Sequence, residues 1–301
     1  MTVAPGTTPA FSRVERFASI GSTNDVVRGW LADGEAEICL AVAGEQTAGR
    51  GRNGRTWTAP PGAALLCSLG FRPTWLAAER AWRIPATVAL AMCDAAEEVA
   101  GLPVGAIRLK WPNDLVVETG GPKALLVGEL DADAAAARLA APLALRKLAG
   151  VLGETEGLGT DDPRVVVGIG INGDWAARDF PADLADTMTS LREASAGRPI
   201  DADSLLEAFV ERVEVRTDAL RQGFFDVAGW TERQATTGRR VTLEGAAGSA
   251  GAGDASQPGA VLALGVDAPS GALVVEDLSS PTGERLVHAG EVTRVRLAPG
   301  V

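Results

Sequence analysis

Residues 49–57 read Gly-Arg-Gly-Arg-Asn-Gly-Arg-Thr-Trp, a stretch that combines three arginines, three glycines and an indole without any acidic residue. A packed helix or strand gains nothing from it, because like charges repel and glycine loses extra backbone entropy on ordering. A loop that closes over a phosphate-bearing ligand does gain, since arginine forks onto phosphate or carboxylate oxygens and the indole offers a face for a base. The stretch therefore predicts a ligand-binding loop.

Residues 49–54 also match the dinucleotide-binding fingerprint G-x-G-x-x-G, so a Rossmann fold has to be considered. That fingerprint must open a helix directly after its strand, but Thr-Trp-Thr-Ala-Pro-Pro-Gly at 56–62 cannot begin one. A second match at 168–173 follows the strand-like run 165–167, yet no long helix follows it. These contexts disfavour a Rossmann fold. An RNA-binding arginine-glycine tail is disfavoured as well, since such tails are long and repetitive, and a solvated basic loop without function remains the plain alternative.

The loop is positively charged, whereas the chain as a whole is acidic. The chain has 301 residues and a net charge of −11, from 28 basic and 39 acidic residues, which disfavours bulk affinity for nucleic acid. Residues 1–10 have neither the basic nor the apolar region of a signal peptide. Apolar runs stay below the roughly 18 residues that a membrane helix needs. We expect a cytoplasmic protein that does not bind membranes.

Cysteine and histidine usage narrows the chemistry further. Cys39, Cys67 and Cys93 lie in apolar runs without a C-x-x-C pair, which indicates buried reduced thiols. His288 is the single histidine, and its position near the C-terminus favours a structural role. Most Ser-His-Asp, Cys-His and histidine-metal chemistry is thereby excluded. An enzyme with this composition must depend on positioning and cationic electrostatics.

Hydrophobic periodicity and turn residues predict interleaved strands and helices, followed by a run of short strands. Strands are expected at residues 11–20, 37–43, 64–71, 106–110, 115–117, 147–152 and 165–171, and helices from a Ser22 cap to about 31, at 83–100 and at 202–221. Beyond about residue 238, short strands are expected at 240–243, 261–266, 272–276, 284–288 and 292–297. The change predicts two domains with a boundary near 229–238, the second a small barrel or meander.

Four further segments carry polar side chains in positions suited to a ligand. Ser-Thr-Asn at 22–24 begins a helix, where unpaired N–H groups favour an acceptor. Lys-Trp-Pro-Asn-Asp-Leu at 110–115 joins a cation, an amide and a carboxylate at a strand end. Residues 146–154 and 167–172 each set one polar group in a glycine-containing strand. Each segment alone has a structural explanation, such as a helix cap or close strand packing, and it is their joint order that points to function.

In that order these segments resemble the biotin protein ligase family. Residues 49–57 are similar to its adenylate-binding loop, residues 110–115 to its Lys-Trp-Pro-Asn-Asp signature, and the resemblance runs from about Ser12 to Leu297. It implies an α+β fold, a mixed β-sheet flanked by helices of the class II synthetase-like kind, with a small C-terminal SH3-like β-barrel. The implied division is a disordered N-terminus at 1–10, a catalytic domain at 11–232 and the barrel at 238–301.

The resemblance implies that biotin and ATP form biotinyl-5′-AMP, from which biotin passes to a lysine of a carrier domain. The catalytic groups implied are Arg50, Lys110, Asp114 and Lys147. The biotin-binding residues implied are Ser22, Thr23, Asn24, Gln46, Gly49, Arg50, Gly51, Arg52, Lys147, Gly150 and Gly168. The adenylate-binding residues implied are Arg52, Arg55, Trp57, Asn113 and Asn172. Mg²⁺ is expected with ATP; its ligands are unassigned, and Asp114 is the nearest candidate to influence it.

The sequence departs from the family pattern in two places. Lys-Ala-Leu-Leu-Val-Gly-Glu at 123–129 imitates the segment at 146–154, but only the latter matches residue by residue. We therefore interpret 118–145 as an insertion and Lys147, rather than Lys123, as the reactive-site lysine. Only about ten residues precede the first strand, too few for the N-terminal helix-turn-helix found in many relatives. We expect a ligase without the repressor domain and without DNA binding.

The expected partner is the biotin carboxyl carrier domain of an acetyl-CoA or other acyl-CoA carboxylase, and a weak homodimer is left open. Two other functions remain as alternatives. A lipoate-protein ligase shares the implied catalytic core, although its signatures differ from residues 49–57 and 110–115. A biotin- or nucleotide-binding protein without turnover would share the pocket, but Arg50, Lys110 and Lys147 are all retained here.

Overall fold

A computed structural model describes residues 11–119, 144–244, 260–277, 280–288 and 294–297. The predicted disordered N-terminus at 1–10 lies outside these residues, as do Lys123 and nearly all of the predicted insertion at 118–145. In the described ranges, no helix is both long enough and apolar enough to cross a bilayer.

Two β-sheets and a set of helices make up the described chain. The first part contains β1 (Arg13–Phe17), α1 (Thr23–Ala32), β2 (Cys39–Ala43), β3 (Ala64–Phe71), α2 (Arg83–Ala100), β4 (Ile107–Lys110), β5 (Asp114–Thr119), β6 (Ala144–Glu156), β7 (Arg164–Asn172), α3 (Leu191–Ala194), α4 (Ala202–Arg221) and α5 (Val227–Glu232). The second contains β8 (Arg239–Glu244), β9 (Ala260–Val266), β10 (Leu273–Glu276), β11 (Glu284–Val287) and β12 (Arg294–Leu297). The predicted bounds of β3, α2 and α4 agree with the structure, whereas the short helices α3 and α5 were not predicted.

The larger sheet has seven strands in the order β1-β2-β3-β7-β6-β5-β4. Strands β1 and β2 are parallel, and all other neighbours are antiparallel. The side chains of β2 alternate between two layers, as a strand requires: Cys39 and Ala41 pack beside α1, while Leu40 and Val42 join the core beneath α2 and α4. The predicted mixed sheet flanked by helices is confirmed.

The smaller sheet is antiparallel, with the order β11-β10-β9-β8-β12. Strands β11 and β12 lie at its two ends, so the pairing of the described strands gives a sheet, and closure into an SH3-like barrel stays a prediction. The chain reaches this sheet along β4, because Leu109 exchanges backbone hydrogen bonds of 2.7 Å with Arg233 and Ala235. The strand that leads to residues 110–115 is therefore flanked by the segment that enters the smaller sheet.

The cysteines have the environment that the sequence predicts. Cys39, Cys67 and Cys93 are all buried and free. Burial raises the pKa of Cys39 to about 11 and that of Cys67 to about 12. Since the thiolate is the reactive form, these thiols are inert at neutral pH.

Candidate active site

Glycines of two central strands form the floor of the candidate site. Gly150 of β6 lies opposite Gly170 of β7, and Gly168 lies opposite Leu152. A Cβ atom on Gly170 would approach the Trp57 indole to 2.7 Å, and one on Gly168 would overlap the side-chain oxygen of Asn24. Gly150 and Gly168 were predicted as site residues, and Gly170 was missed although it shares their face. The strands leave bare backbone where a ligand or a side chain can lie against the sheet.

The polar end of the floor is built at the start of α1. Ser22, Thr23 and Asn24 are all at least 95 % buried. Ser22 is the N-cap residue, as predicted, but its side chain makes no cap hydrogen bond. Gln46 replaces it: its Oε1 accepts the Thr23 backbone N–H at 2.7 Å and lies 3.1 Å from the Thr23 hydroxyl. The predicted segments at 22–24 and 46 therefore meet in one buried hydrogen-bonded cluster.

Ser68 of β3 completes this cluster and was not predicted. Its hydroxyl lies 2.7 Å from Thr23 Oγ1 and 2.6 Å from Asn24 Oδ1. The residue is fully buried in a strand that is otherwise apolar. A lone polar residue in such a run was the signal available in the sequence, because buried polar groups require partners.

A network of charged groups continues from Asn24 to the arginine-rich loop. Asn24 Nδ2 donates to Glu154 Oε2 at 2.6 Å, and the same carboxylate is 2.7 Å from Arg28 and 3.5 Å from Arg50. Arg50 also forks onto Asp25, with N···O distances of 2.6 and 2.8 Å. The hydrogen bond from Arg50 is the main cause that holds the pKa of Asp25 below its usual 3.8. Sequence reasoning placed Arg50 in the site but missed the roles of Asp25 and Glu154.

The loop itself folds back as a tight hairpin. Gly51 N–H donates to the Arg55 carbonyl at 2.7 Å, and Trp57 N–H donates to the Gly49 carbonyl at 2.9 Å. A Cβ atom on Gly49 would come within 2.5 Å of the Trp57 carbonyl, so this close approach requires glycine. Arg52 extends toward Asn113, at 3.5 Å, and burial lowers its pKa. Arg55 is exposed, and the structure does not bring it to the floor.

Lys147 and Trp57 lie over the floor on the side of residues 110–115. Lys147 Nζ is 2.7 Å from Asp114 Oδ1 and 5.5 Å from the centroid of the Trp57 ring. Trp57 Nε1 is buried and has no hydrogen-bond partner in the described part of the chain. Lys110 lies directly opposite Asp114 in the β4–β5 register. Trp57, Lys147 and Asp114, predicted from separate segments, are thus brought together.

The two asparagines predicted to contact the adenylate are held by backbone groups. Asn113 Nδ2 donates to the Val151 carbonyl at 3.1 Å, and the Val151 N–H donates to the Asn113 carbonyl at 2.8 Å. Asn172 is 4 % exposed and donates to the Thr189 carbonyl at 2.8 Å. The Asn113 side-chain oxygen faces Arg52 at 3.5 Å. Across the described residues, no group of three or more His, Cys, Asp and Glu side chains is placed to hold a metal ion.

The arrangement suits an elongated ligand with a neutral polar end and an anionic end. Buried hydroxyl and amide groups at the start of α1 supply donors and acceptors for an uncharged polar ring, and the glycine floor leaves room for an apolar middle. Arg52 and Lys147 lie at the other end, toward the turn at 113–114, where charge-assisted hydrogen bonds favour carboxylate or phosphate. Arg50 is held by Asp25 and Glu154 at the start of α1. His288 is exposed in the smaller sheet and takes no part.

We expect the Asp25→Asn substitution to loosen the loop in the ligand-free protein. The Arg50–Asp25 pair is partly exposed, and such pairs contribute about 0.2–1 kcal/mol, so amide exchange at residues 49–57 should rise by no more than about fivefold. Because the pKa of Asp25 is lowered, the pair is present above pH 3.8 and is lost as pH falls through the lowered value. Hydrogen exchange measured by mass spectrometry checks this. Asp203→Asn, which removes the exposed partner of Arg16 elsewhere, is the control, and equal exchange in both variants would contradict the expectation.

Comparisons with known proteins show the family and the fold that the chain resembles. The sequence model of the Biotin/lipoate A/B protein ligase family matches residues 17–172. A biotin--[acetyl-CoA-carboxylase] ligase of Paracoccus denitrificans is 29% identical over 266 residues, which are 87% of this chain and 92% of that protein. The bifunctional ligase/repressor BirA of Bacillus subtilis (strain 168) is 31% identical over 196 residues, 64% of this chain and 51% of that protein. The chain thus spans about half the length of that relative.

The fold of this chain is similar to that of a solved structure. The biotin protein ligase from Aquifex aeolicus in complex with biotin and ATP superposes with a TM-score of 0.68 at 22% identity. The superposition covers 96% of this chain and 100% of that chain, so the likeness includes the smaller sheet as well as the larger one.

Proposed function

Because the chain belongs to the biotin/lipoate A/B protein ligase family, we propose that it is a biotin protein ligase, which activates biotin with ATP and transfers it to a lysine of a biotin carboxyl carrier protein. One observation carries the proposal: the arginine-rich loop, the buried cluster at the start of α1 and the Lys147–Asp114 pair enclose a single glycine floor. The relative from Paracoccus denitrificans, which aligns along nearly its whole length, supports the choice of biotin.

Biotin matches the two ends of the floor. Its fused ring system contains a neutral cyclic urea, whose carbonyl accepts hydrogen bonds and whose N–H groups donate them. Thr23, Asn24 and Gln46 supply groups of both kinds, already fixed by the Ser68 and Glu154 hydrogen bonds. The valerate chain would lie over the glycines, and its carboxylate would point to Lys147. Preorganised partners of this kind reduce the ordering cost of binding.

The first step joins the biotin carboxylate to AMP. A carboxylate oxygen attacks the α-phosphorus of ATP, a phosphoanhydride P–O bond breaks, and pyrophosphate leaves. The carboxylate is ionised at neutral pH, so this step requires no general base. It requires that two anions be held together and that the developing charge be stabilised. Arg50, Arg52, Lys110 and Lys147 are the cations proposed for that task, and Mg²⁺ would enter with ATP.

The second step forms the amide bond. The neutral amine of the carrier lysine attacks the acyl carbon of biotinyl-5′-AMP, AMP leaves with the electron pair of the C–O bond, and the amine loses a proton. Asp114 lies beside Lys147 and is the nearest carboxylate proposed to assist that proton transfer. Arg50 is paired with Asp25, so contact with the adenylate would require it to exchange that carboxylate for a phosphate oxygen.

The proposal also covers the protein substrate, the location and the oligomeric state. The carrier domain of acetyl-CoA carboxylase is the proposed substrate. The net charge of −11 supports the proposed lack of DNA affinity. A cytoplasmic location, a weak homodimer and closure of the smaller sheet into an SH3-like barrel belong to the same proposal.

The decisive experiment incubates the protein with biotin, MgATP and a purified biotin carboxyl carrier domain, and detects product with streptavidin. Labelling that requires ATP and the carrier lysine supports the proposal. An ATP–pyrophosphate exchange assay with biotin or lipoate as the acid separates the nearest alternative, since a lipoate ligase would exchange only with lipoate. Biotin binding without exchange in either assay would instead show a binding protein without turnover.

A further inference from the structure

The turn at residues 111–114 faces the candidate site on one side and the smaller sheet on the other. Trp111 is 5 % exposed, and its side chain packs in the core of the smaller sheet with Val241, Leu273 and Val287 among others. Its indole N–H donates to the Gly271 carbonyl at 3.0 Å. A residue of the site's own turn is therefore a core residue of a different sheet.

The acceptor of that hydrogen bond is itself fixed. Gly271 has a left-handed φ of +73°, and a Cβ atom on it would lie 2.6 Å from the ring of Trp82. Trp82 also donates to the Pro269 carbonyl at 3.3 Å. The indoles of Trp111 and Trp82 thus both donate to backbone carbonyls of segment 267–271. Within this segment, Ser270 N–H donates to the Asp267 carboxylate at 2.8 Å. The Gly271 carbonyl is consequently a rigid anchor for Trp111.

The opposite side of the turn reaches the candidate site through two contacts. Asn113 exchanges hydrogen bonds of 2.8 and 3.1 Å with the backbone of Val151. Asp114 lies 2.7 Å from Lys147 Nζ. Trp111 precedes these two residues by only two and three positions, so a displacement of its indole would be transmitted along the short turn to the Lys147 ammonium.

We propose that Trp111 is a positioning residue for adenylation: by anchoring in the smaller sheet, it holds Asn113 and Asp114, and through Asp114 it orients Lys147. This inference rests on the proposed function for its chemistry. The cluster at the start of α1 makes no contact with the turn among its described hydrogen bonds. The consequence is that the smaller sheet acts on the ATP-dependent step and leaves recognition of the neutral biotin ring largely unchanged.

The test compares Trp111→Phe with Trp82→Phe. Each substitution keeps an aromatic ring and removes one indole N–H that donates to segment 267–271, but only Trp111 belongs to the turn. Because misplacement by about 1 Å costs on the order of a hundredfold in rate, we expect Trp111→Phe to lower kcat/KM for ATP in biotinyl-AMP formation at least about tenfold. The dissociation constant of biotin without ATP should change by a clearly smaller factor, because the cluster that receives the ring is unaffected and only the contact of the carboxylate with Lys147 is disturbed. Exchange of the Val151 amide should accelerate. Trp82→Phe loses the 3.3 Å bond to Pro269 but keeps an aromatic ring beside Gly271 and leaves the Trp111 hydrogen bond in place, so it should change these quantities by less than about threefold.

A second variant protects the test against misfolding. Leu273→Ala shortens a fully buried side chain of the smaller sheet, outside the turn. Like Trp111→Phe, it should lower kcat/KM for ATP. Combined with Trp111→Phe, its effect should be less than additive, since both act through one contact. Wild-type adenylation in Trp111→Phe, or equal losses of biotin binding and adenylation in both variants, would overturn the inference. If the wild type forms no biotinyl-AMP, the proposed function fails, whereas unchanged Val151 exchange in Trp111→Phe would refute the positioning role by itself.

Discussion

Replacing Lys147 with methionine should lower the rate of biotinyl-AMP formation by about 10²- to 10³-fold, the usual loss when one preorganised donor to developing charge is removed. Lys147 Nζ is held 2.7 Å from Asp114 at the edge of the glycine floor. The side chain is 39% exposed, and methionine keeps much of its apolar length while removing the charge. Rapid-quench measurement of biotinyl-AMP, with circular dichroism to confirm folding, checks the prediction.

Arg146→Met is the matched control for this change. It removes the same charge one residue away, on the face of β6 that points away from Lys147 because consecutive side chains alternate. We expect a change of less than about threefold in that variant, since charges outside the site act only through screened, long-range interactions. Equal losses in Lys147→Met and Arg146→Met would show that general charge, and not the position of Lys147, supports the reaction.

The position of Lys147 illustrates what the sequence could not predict. Gly150 lies on the floor, and strict alternation would place Lys147, three residues earlier, on the opposite face. The pairing of β5 with β6 shifts by one residue between Ala149 and Lys147, so Gly150 and Lys147 both face the site. Leu148 and Ala149 are then both buried in the core. Nothing in the residue types marks this bulge, although the resemblance had already assigned Lys147 to the site.

Local patterns did predict the elements that carry the site. The apolar run of β3 and the helical spacing of α2 and α4 gave their bounds, because each pattern depends on residues within a few positions of each other. The missed residues Asp25, Ser68 and Glu154 act through partners far away in the chain: Asn24 and Glu154, for example, are 130 residues apart. A polar residue can be recognised as unusual from the sequence, but its partner is defined only when the strands are in register.

Replacing Gly168 with alanine should weaken biotin binding by about 5- to 150-fold, the equivalent of the roughly 1–3 kcal/mol that overpacking of a rigid site costs. The added methyl group would overlap Asn24 Oδ1. Asn24 cannot move easily, because its amide makes hydrogen bonds of 2.6 Å with both Ser68 and Glu154. Relief of the overlap must move the start of α1, and with it Thr23 and its hydrogen bond to Gln46. Titration calorimetry with biotin in the absence of ATP measures the effect.

Gly153→Ala in β6 separates this local effect from a general cost of adding a methyl group to the sheet. The nearest atom to its Cβ would be Pro85 Cγ at 3.4 Å, an ordinary contact on the side of α2. We expect biotin binding within about twofold of the wild type, since small well-tolerated changes away from a site rarely exceed about 0.5 kcal/mol. A Gly168→Ala protein that folds and binds biotin as tightly as Gly153→Ala would show that the ring of biotin does not lie against Asn24. The floor would then have to receive a different part of the ligand.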